Sequence, residues 1–112
     1  MDRLPAQTRP DTLQYDAFQV IRRNGAAVAF DPAKIAVAMN KAFLAVEGSQ
    51  GAASSRVRDL VARLTDTVVG ALTRRLPDGG LLHIEDIQDQ VELALMRSGE
   101  HDVARAYVLY RE

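Results

Sequence analysis

Asn24-Gly25, set in "QVIRRNGAAVAF" (residues 19–30), constrains the fold more than any other stretch of this chain. Asn-Gly between apolar flanks is the strongest short-range hairpin signal, because both central positions of a two-residue type I′ turn need positive φ. The expected register pairs Arg23 with Ala26, Ile21 with Val28 and Gln19 with Phe30. One face of such a hairpin carries Ile21, Val28 and Phe30, and the other carries Val20 with small alanines. A lone hairpin is marginal in water, so it must rest on something else in the chain.

A series of amphipathic helices supplies that support. Asp31-Pro32 reads as a helix start: Asp is a favoured N-cap, and proline at the first helical position gives up only an N–H that would be unpaired anyway. Ile35, Ala38, Met39, Ala42 and Val46 repeat at helical spacing until Gly48-Ser49-Gln50-Gly51. Ser54 or Ser55 caps a second helix with Val57, Leu60, Val61, Leu64, Val68, Ala71 and Leu72 on one face. "RLPDGG" (75–80) stops it. "LLHI" (81–84) is short and β-compatible. A third helix spans Glu85 to Arg97 with Ile87, Val91, Ala94 and Leu95 inward, and Ser98-Gly99 ends it. A fourth starts near His101 and carries Ala104, Tyr107 and Val108. The order predicts an α+β fold, a four-helix bundle capped by a small sheet built on the hairpin. Residues 1–17 read as a disordered lead-in, and the ordered domain as 18–112. The helical pattern runs to the last residue, so the chain is expected to be a fragment of a longer one.

Composition narrows the function. At 112 residues the chain suits one domain. Fourteen Lys+Arg oppose fifteen Asp+Glu, which argues against a domain devoted to nucleic-acid backbones, where a basic excess is usual. The absence of cysteine removes disulfides, thiolate catalysis and cysteine-based zinc sites. No apolar run approaches the ~20 residues of a membrane span, and the N-terminus has no signal-peptide core, so a cytoplasmic location is expected.

Two adjacent arginines at a hairpin tip are more charge than a turn requires. Arg22 and Arg23 read either as a solvated tip that discourages edge-to-edge pairing or as part of an anion site. Lys34 favours the second reading. It lies in the first turn of the first helix, where the dipole prefers acids. A helix N-terminus, a lysine and two arginines would converge on phosphate. Asp86, Asp89 and Glu92 have the spacing of a solvated acidic face and form no metal motif. His83 reads as a structural histidine. Ser54, Ser55 and Thr65 lack a paired base, and no glycine-rich loop of the Walker type is present. Tyr107 and Tyr110, near Arg105 and Arg111, read as core and rim residues that could also stack a base.

Two stretches together resemble one family. "VIRRNGAAVAFDPAKIAVAMNKAF" is similar to the opening of an ATP-cone, and "HIEDIQDQVELAL" to its second signature helix. The resemblance covers about residues 18–111 and is greatest to the N-terminal cone of class I ribonucleotide reductase large subunits. "GEHDVARAYVLYRE" resembles the stretch leading on into the catalytic barrel. The resemblance implies a four-helix bundle under a three-stranded mixed sheet. It implies an allosteric domain that binds ATP (active) or dATP (inhibited), with Mg2+ bridging the phosphates and no protein metal ligand. Overall activity would be set through oligomerisation. The partners implied are the rest of the large subunit, further copies of it and the small radical-generating subunit. The chain itself would catalyse nothing, since reductase chemistry uses cysteine radicals. Carried over by position, Arg22, Arg23 and Lys34 would hold the triphosphate. Val20, Phe30, Ile35 and Ile87 would wall the adenine, with Ile21 also among the nucleotide-binding positions. Asp31 would meet the adenine edge, and Gln88, His83 and Ile84 fall near ribose positions. Two departures stand out. Val28 stands where some members have an acidic residue in the return strand, and the basic residue that reaches the phosphates from the end of the last helix in some cones either is Arg111 or lies beyond Glu112. Arg97, Arg105, Tyr107 and Arg111 would suit a second nucleotide. The rival readings are a nucleotide-free helical interaction module and the cone of a transcriptional repressor of reductase genes. The latter carries a zinc ribbon before the cone, whereas residues 1–17 contain neither Cys nor His.

Overall fold

The computed structural model describes residues 15–111. The elements run β1 (Phe18–Ile21), β2 (Ala27–Ala29), α1 (Pro32–Ala52), α2 (Ser55–Thr73), β3 (Gly80–His83), α3 (Ile84–Arg97) and α4 (His101–Tyr110). The strands form one mixed sheet in the order β2-β1-β3, antiparallel between β1 and β2 and parallel between β1 and β3. In the bundle α1 packs on α2 and α4, and α3 packs on α2 and α4. This is the α+β architecture expected from the order of the hydrophobic stripes.

The hairpin register differs from the expected one by a single residue. Val20 pairs with Val28 and Ile21 with Ala27. The Arg22 amide donates to the Ala26 carbonyl at 2.9 Å, which leaves Arg23-Asn24-Gly25 as a three-residue loop. Gly25 N–H donates to the Arg22 carbonyl at 2.9 Å, and only Gly25 (φ +86°) is left-handed. This is the type I turn followed by a left-handed residue, which needs positive φ once rather than twice. Asn24 Oδ1 instead accepts from the Ala26 amide at 3.0 Å, an Asx interaction that closes the loop. A one-residue slip moves a whole strand set to the other face. Phe18 and Val20 are therefore buried, while Ile21 is only half-buried on the outer face.

Across the sheet, Val28, Val20 and Leu82 form one row on the bundle side, and Ala27, Ile21 and His83 form the next row on the other side. Phe18, Phe30 and Tyr15 close the bundle side as an aromatic group, with Tyr15 edge-on to Phe30 at 5.7 Å. Tyr15, Asp16 and Ala17 thus belong to an ordered turn, and the rest of the expected lead-in lies outside the described residues.

Helix starts match the expected caps. Asp31 Oδ1 accepts from Ala33 N–H at 3.0 Å and Ser54 Oγ from Val57 N–H at 3.2 Å. At Gly48 the backbone leaves the helix (φ +79°, ψ +176°), so the main body of α1 ends at Glu47 and one further turn comes after it. Val46, expected inside, is exposed, two residues before this break. Phe43, which is fully buried, takes its place in the core. Arg56 holds the corner by bonding both Glu47 carboxylate oxygens (3.0 and 3.1 Å) and Glu100 (3.4 Å). The hydrogen bond to Glu47 is the main reason its pKa lies above the ordinary value. Val108 is only half-buried, and Val103 joins Ala104 and Tyr107 in the α4 core stripe.

Gly79 has the closest surroundings of the described glycines. Its φ is +99°, and a Cβ there would stand 2.4 Å from Ala17 Cβ and 2.6 Å from Ala17 O. The same junction carries the Gly80 N–H bond to Ala17 O at 3.0 Å that opens the β1–β3 ladder. Gly79→Ala should cost about 2 kcal/mol or more in urea unfolding, from backbone strain plus the clash. Gly25→Ala, with open space around it, should cost about 1 kcal/mol from φ alone.

Candidate functional site

A cavity of about 710 Å³ opens between the bundle face of the sheet, α1, α3 and the end of α4. Its apolar walls are Val20, Val28 and Phe30 from the sheet, Ile35 and Ala38 from α1, and Ile84, Ile87 and Val91 from α3. Each comes from an inward stripe, so the cavity is the space left where the hairpin lies over the bundle.

Its rim is basic. Arg22 and Arg23 reach it from the hairpin tip, Lys34 and Lys41 from α1, and Arg111 from the end of α4. Asp31 is the one carboxylate among the described lining residues, and its Oδ1 is engaged as the α1 cap. Five cations against one anion is a strong local excess in a chain whose net charge is −1. Lys34 stands at the third helical position, where a capping box would place Glu or Gln, and α1 has no acid in its first turn. The amide ends, the dipole and the lysine therefore add with one sign rather than cancel.

Gln88 lies at the centre of the site and is 7% exposed. Its Oε1 accepts from Arg23 Nη2 at 3.3 Å, and its Nε2 donates to the Arg111 carbonyl at 3.4 Å. It thereby ties the hairpin tip to the last turn of α4. Arg23 Nε also faces Glu85 Oε2 at 3.8 Å, and Arg111 Nη1 faces Glu92 Oε1 at 3.7 Å. Glu92, expected on a solvated acidic face, is in fact a partner of Arg111.

Of the residues singled out in sequence, Val20, Arg22, Arg23, Phe30, Asp31, Lys34, Ile35, Ile84, Ile87, Gln88 and Arg111 all line this cavity. Ile21 and His83 do not. They pair with one another across β1 and β3, in the row facing away from the bundle. Arg97 lines a separate 360 Å³ groove between α2 and α3, and Arg105 lines neither space, so the basic residues of the last two helices do not gather into one site. Lys41 joins the rim without having stood out in the sequence, although its spacing from Lys34 (i, i+7) puts both on one helix face. Tyr107 and Tyr110 line the cavity beside Arg111. Among the described residues no group of three or more His, Asp or Glu could hold a metal ion, and no helix is long and apolar enough to cross a membrane.

The chain matches the ATP cone domain over residues 18–112. It belongs to the ATP-cone family, a family of nucleotide-binding regulatory domains. It is 39% identical over 99 residues to the ribonucleoside-diphosphate reductase subunit alpha of Chlamydia trachomatis, a match that takes in 88% of this chain. It is 36% identical over 94 residues to the vitamin B12-dependent ribonucleoside-diphosphate reductase of Mycobacterium tuberculosis, over 84% of this chain. The chain spans about a tenth of the length of these curated relatives, 10% and 12%. The cone therefore corresponds to a regulatory portion of such proteins and not to their catalytic part.

The environment of Tyr107 gives a test of this geometry. Burial, chiefly, pushes its phenol up to about 12, with Glu92 and Asp89 adding to the rise and Arg111 opposing it. The neutral phenol is favoured in the folded state, so the stability linked to it is complete below the ordinary value of ~10 and is lost as pH rises through about 12. Phenolate absorbance should show a component that titrates near pH 12 and is lost in Tyr107→Phe.

Proposed function

We propose that this cavity is the effector site of a ribonucleotide reductase large subunit and binds ATP or dATP as the magnesium complex in the cytoplasm. The observation that carries the reading is the pairing of an apolar slot with five cations at its rim. An adenine needs the first and a triphosphate the second. Val20, Phe30, Ile35 and Ile87 would sandwich the base, with Asp31 at its edge. Arg22, Arg23 and Lys34 would take the phosphates, and Arg111 would approach from the α4 side. Ile84 and Gln88, which line the same cavity, would lie near the ribose. Mg2+ would arrive on the phosphates, neutralising part of their charge.

Such a site regulates only if its two ligands favour different states of the whole subunit. ATP would leave the enzyme active. dATP, lacking one hydroxyl, would favour an inhibited oligomer formed with further large subunits or with the small radical-generating subunit, a feedback on the deoxynucleotide pool. Gln88 offers a physical route. It touches both the hairpin tip and the end of α4, so a ligand that moves Arg23 alters what holds Arg111.

Isothermal titration calorimetry with MgATP and Mg-dATP should give saturable heat for both. Arg22→Ala and Arg23→Ala should each weaken binding roughly tenfold, the scale of one lost charge-assisted hydrogen bond. Wild-type affinity in both variants, or no binding to the unaltered chain, would overturn the assignment.

A further inference from the structure

Glu85, Gln88 and Glu92 are spaced three and four residues apart and so stack along one face of α3, at the edge of the side that lines the cavity. Each end of this row faces one of the cavity's arginines. Glu85 lies 3.8 Å from Arg23 and Glu92 lies 3.7 Å from Arg111, yet neither glutamate lines the cavity. Both separations exceed the ~2.7–2.9 Å of a charge-assisted hydrogen bond. Arg111 shows the consequence. Its Nε and Nη1 are buried and have no hydrogen-bond partner. Its charge is balanced, but two of its donors remain to be satisfied.

We propose that Glu92, and more weakly Glu85, are internal counter-ions that compete with an incoming polyphosphate for Arg111 and Arg23, and so set the affinity of the cavity for its effector. The inference rests on reading the cavity as a polyphosphate site. In the ligand-free protein each carboxylate stabilises its arginine. When the guanidinium turns to a phosphate oxygen, that stabilisation is lost and the carboxylate is left facing a like charge. Both effects oppose binding, and both vanish if the carboxylate is made a neutral amide. Glu92 has the larger effect because its pair is better shielded: the side chains are 36% and 23% exposed, against 57% and 47% for Glu85 and Arg23. The pairing keeps the empty site from carrying its full positive charge. It also loosens the grip on the ligand, which lets occupancy track nucleotide concentration instead of saturating.

The test titrates the unaltered chain, Glu92→Gln and Glu85→Gln with MgATP, inorganic tripolyphosphate and adenosine. Glu92→Gln should bind MgATP and tripolyphosphate about threefold to fivefold more tightly, Glu85→Gln by less, and adenosine should bind all three proteins alike. The ligand-free melting temperature of Glu92→Gln should fall, since Arg111 loses its counter-ion, and its rise on adding tripolyphosphate should exceed that of the unaltered chain. Unchanged or weaker binding of both phosphate ligands by Glu92→Gln would overturn the proposal, as would equal tightening toward adenosine. If Glu92→Gln does not fold, Glu85→Gln decides, because its pair is exposed and its substitution leaves the core intact. An unaltered chain that takes up neither MgATP nor tripolyphosphate would instead remove the effector reading itself, a result distinct from a chain that binds both but ignores the two glutamates.

Discussion

The parallel pairing of β1 with β3 is the interaction on which the rest of this molecule depends. A two-stranded hairpin has little stability of its own in water. Here β1 is the central strand, and its second edge is closed by a segment that leads directly into α3. The register ends with Ile21 beside His83. The next residues on each side are Arg22 and Arg23 on one strand and Ile84 and Glu85 at the start of α3. The hairpin tip is thus fixed beside the N-terminus of one helix while its return strand feeds the N-terminus of another. Gly79 makes this possible, because the chain passes Ala17 too closely for any side chain at that position.

That placement dictates the electrostatics. Two helix starts and five cationic side chains surround an opening whose floor is apolar. Among the described lining residues Asp31 is the one carboxylate, and its Oδ1 is engaged as a cap. Further balance comes from Glu85 and Glu92, which flank Gln88 along α3 without lining the cavity. Gln88 is the one polar side chain buried among the described residues, and it spans the gap between the two arginine ends. A buried amide with both its oxygen and its nitrogen engaged fixes geometry, because breaking either bond leaves an unsatisfied group. The tip of the hairpin and the end of α4 are therefore mechanically linked through a single side chain.

Much of this was legible in the residues. The inward stripes, the Asp31 and Ser54 caps and the break at Gly48 arise from local chemistry, which acts over a few residues. Arg22, Arg23 and Lys34 were legible as a group because each is odd for its position: two charges at a turn, one wrong-signed charge at a helix start. The hairpin register was not legible from Asn24-Gly25, since that dipeptide serves both the two-residue turn and the three-residue loop with one left-handed glycine. What selects the loop is tertiary. It places Phe18, Val20, Val28 and Phe30 together against the bundle, which the two-residue register would have split between faces. The same slip explains why Ile21 and His83 fall outside the cavity. Glu92 and Lys41 were obscured for another reason. A charged residue on a helix reads as solvated until the neighbouring helix is known, and Arg111 arrives from the far end of the chain.

The effector reading stands or falls on where an adenine nucleotide lands. The most direct measurement is amide chemical-shift mapping of the 15N-labelled chain as MgATP is added. Binding in the cavity predicts saturable shifts concentrated at Arg22–Gly25, the first turn of α1, Ile84–Gln88 and the last turn of α4, with the α2–α3 groove around Arg74 and Arg97 unmoved. Saturable shifts centred on that groove, or no saturable shifts at the hairpin tip, would contradict it.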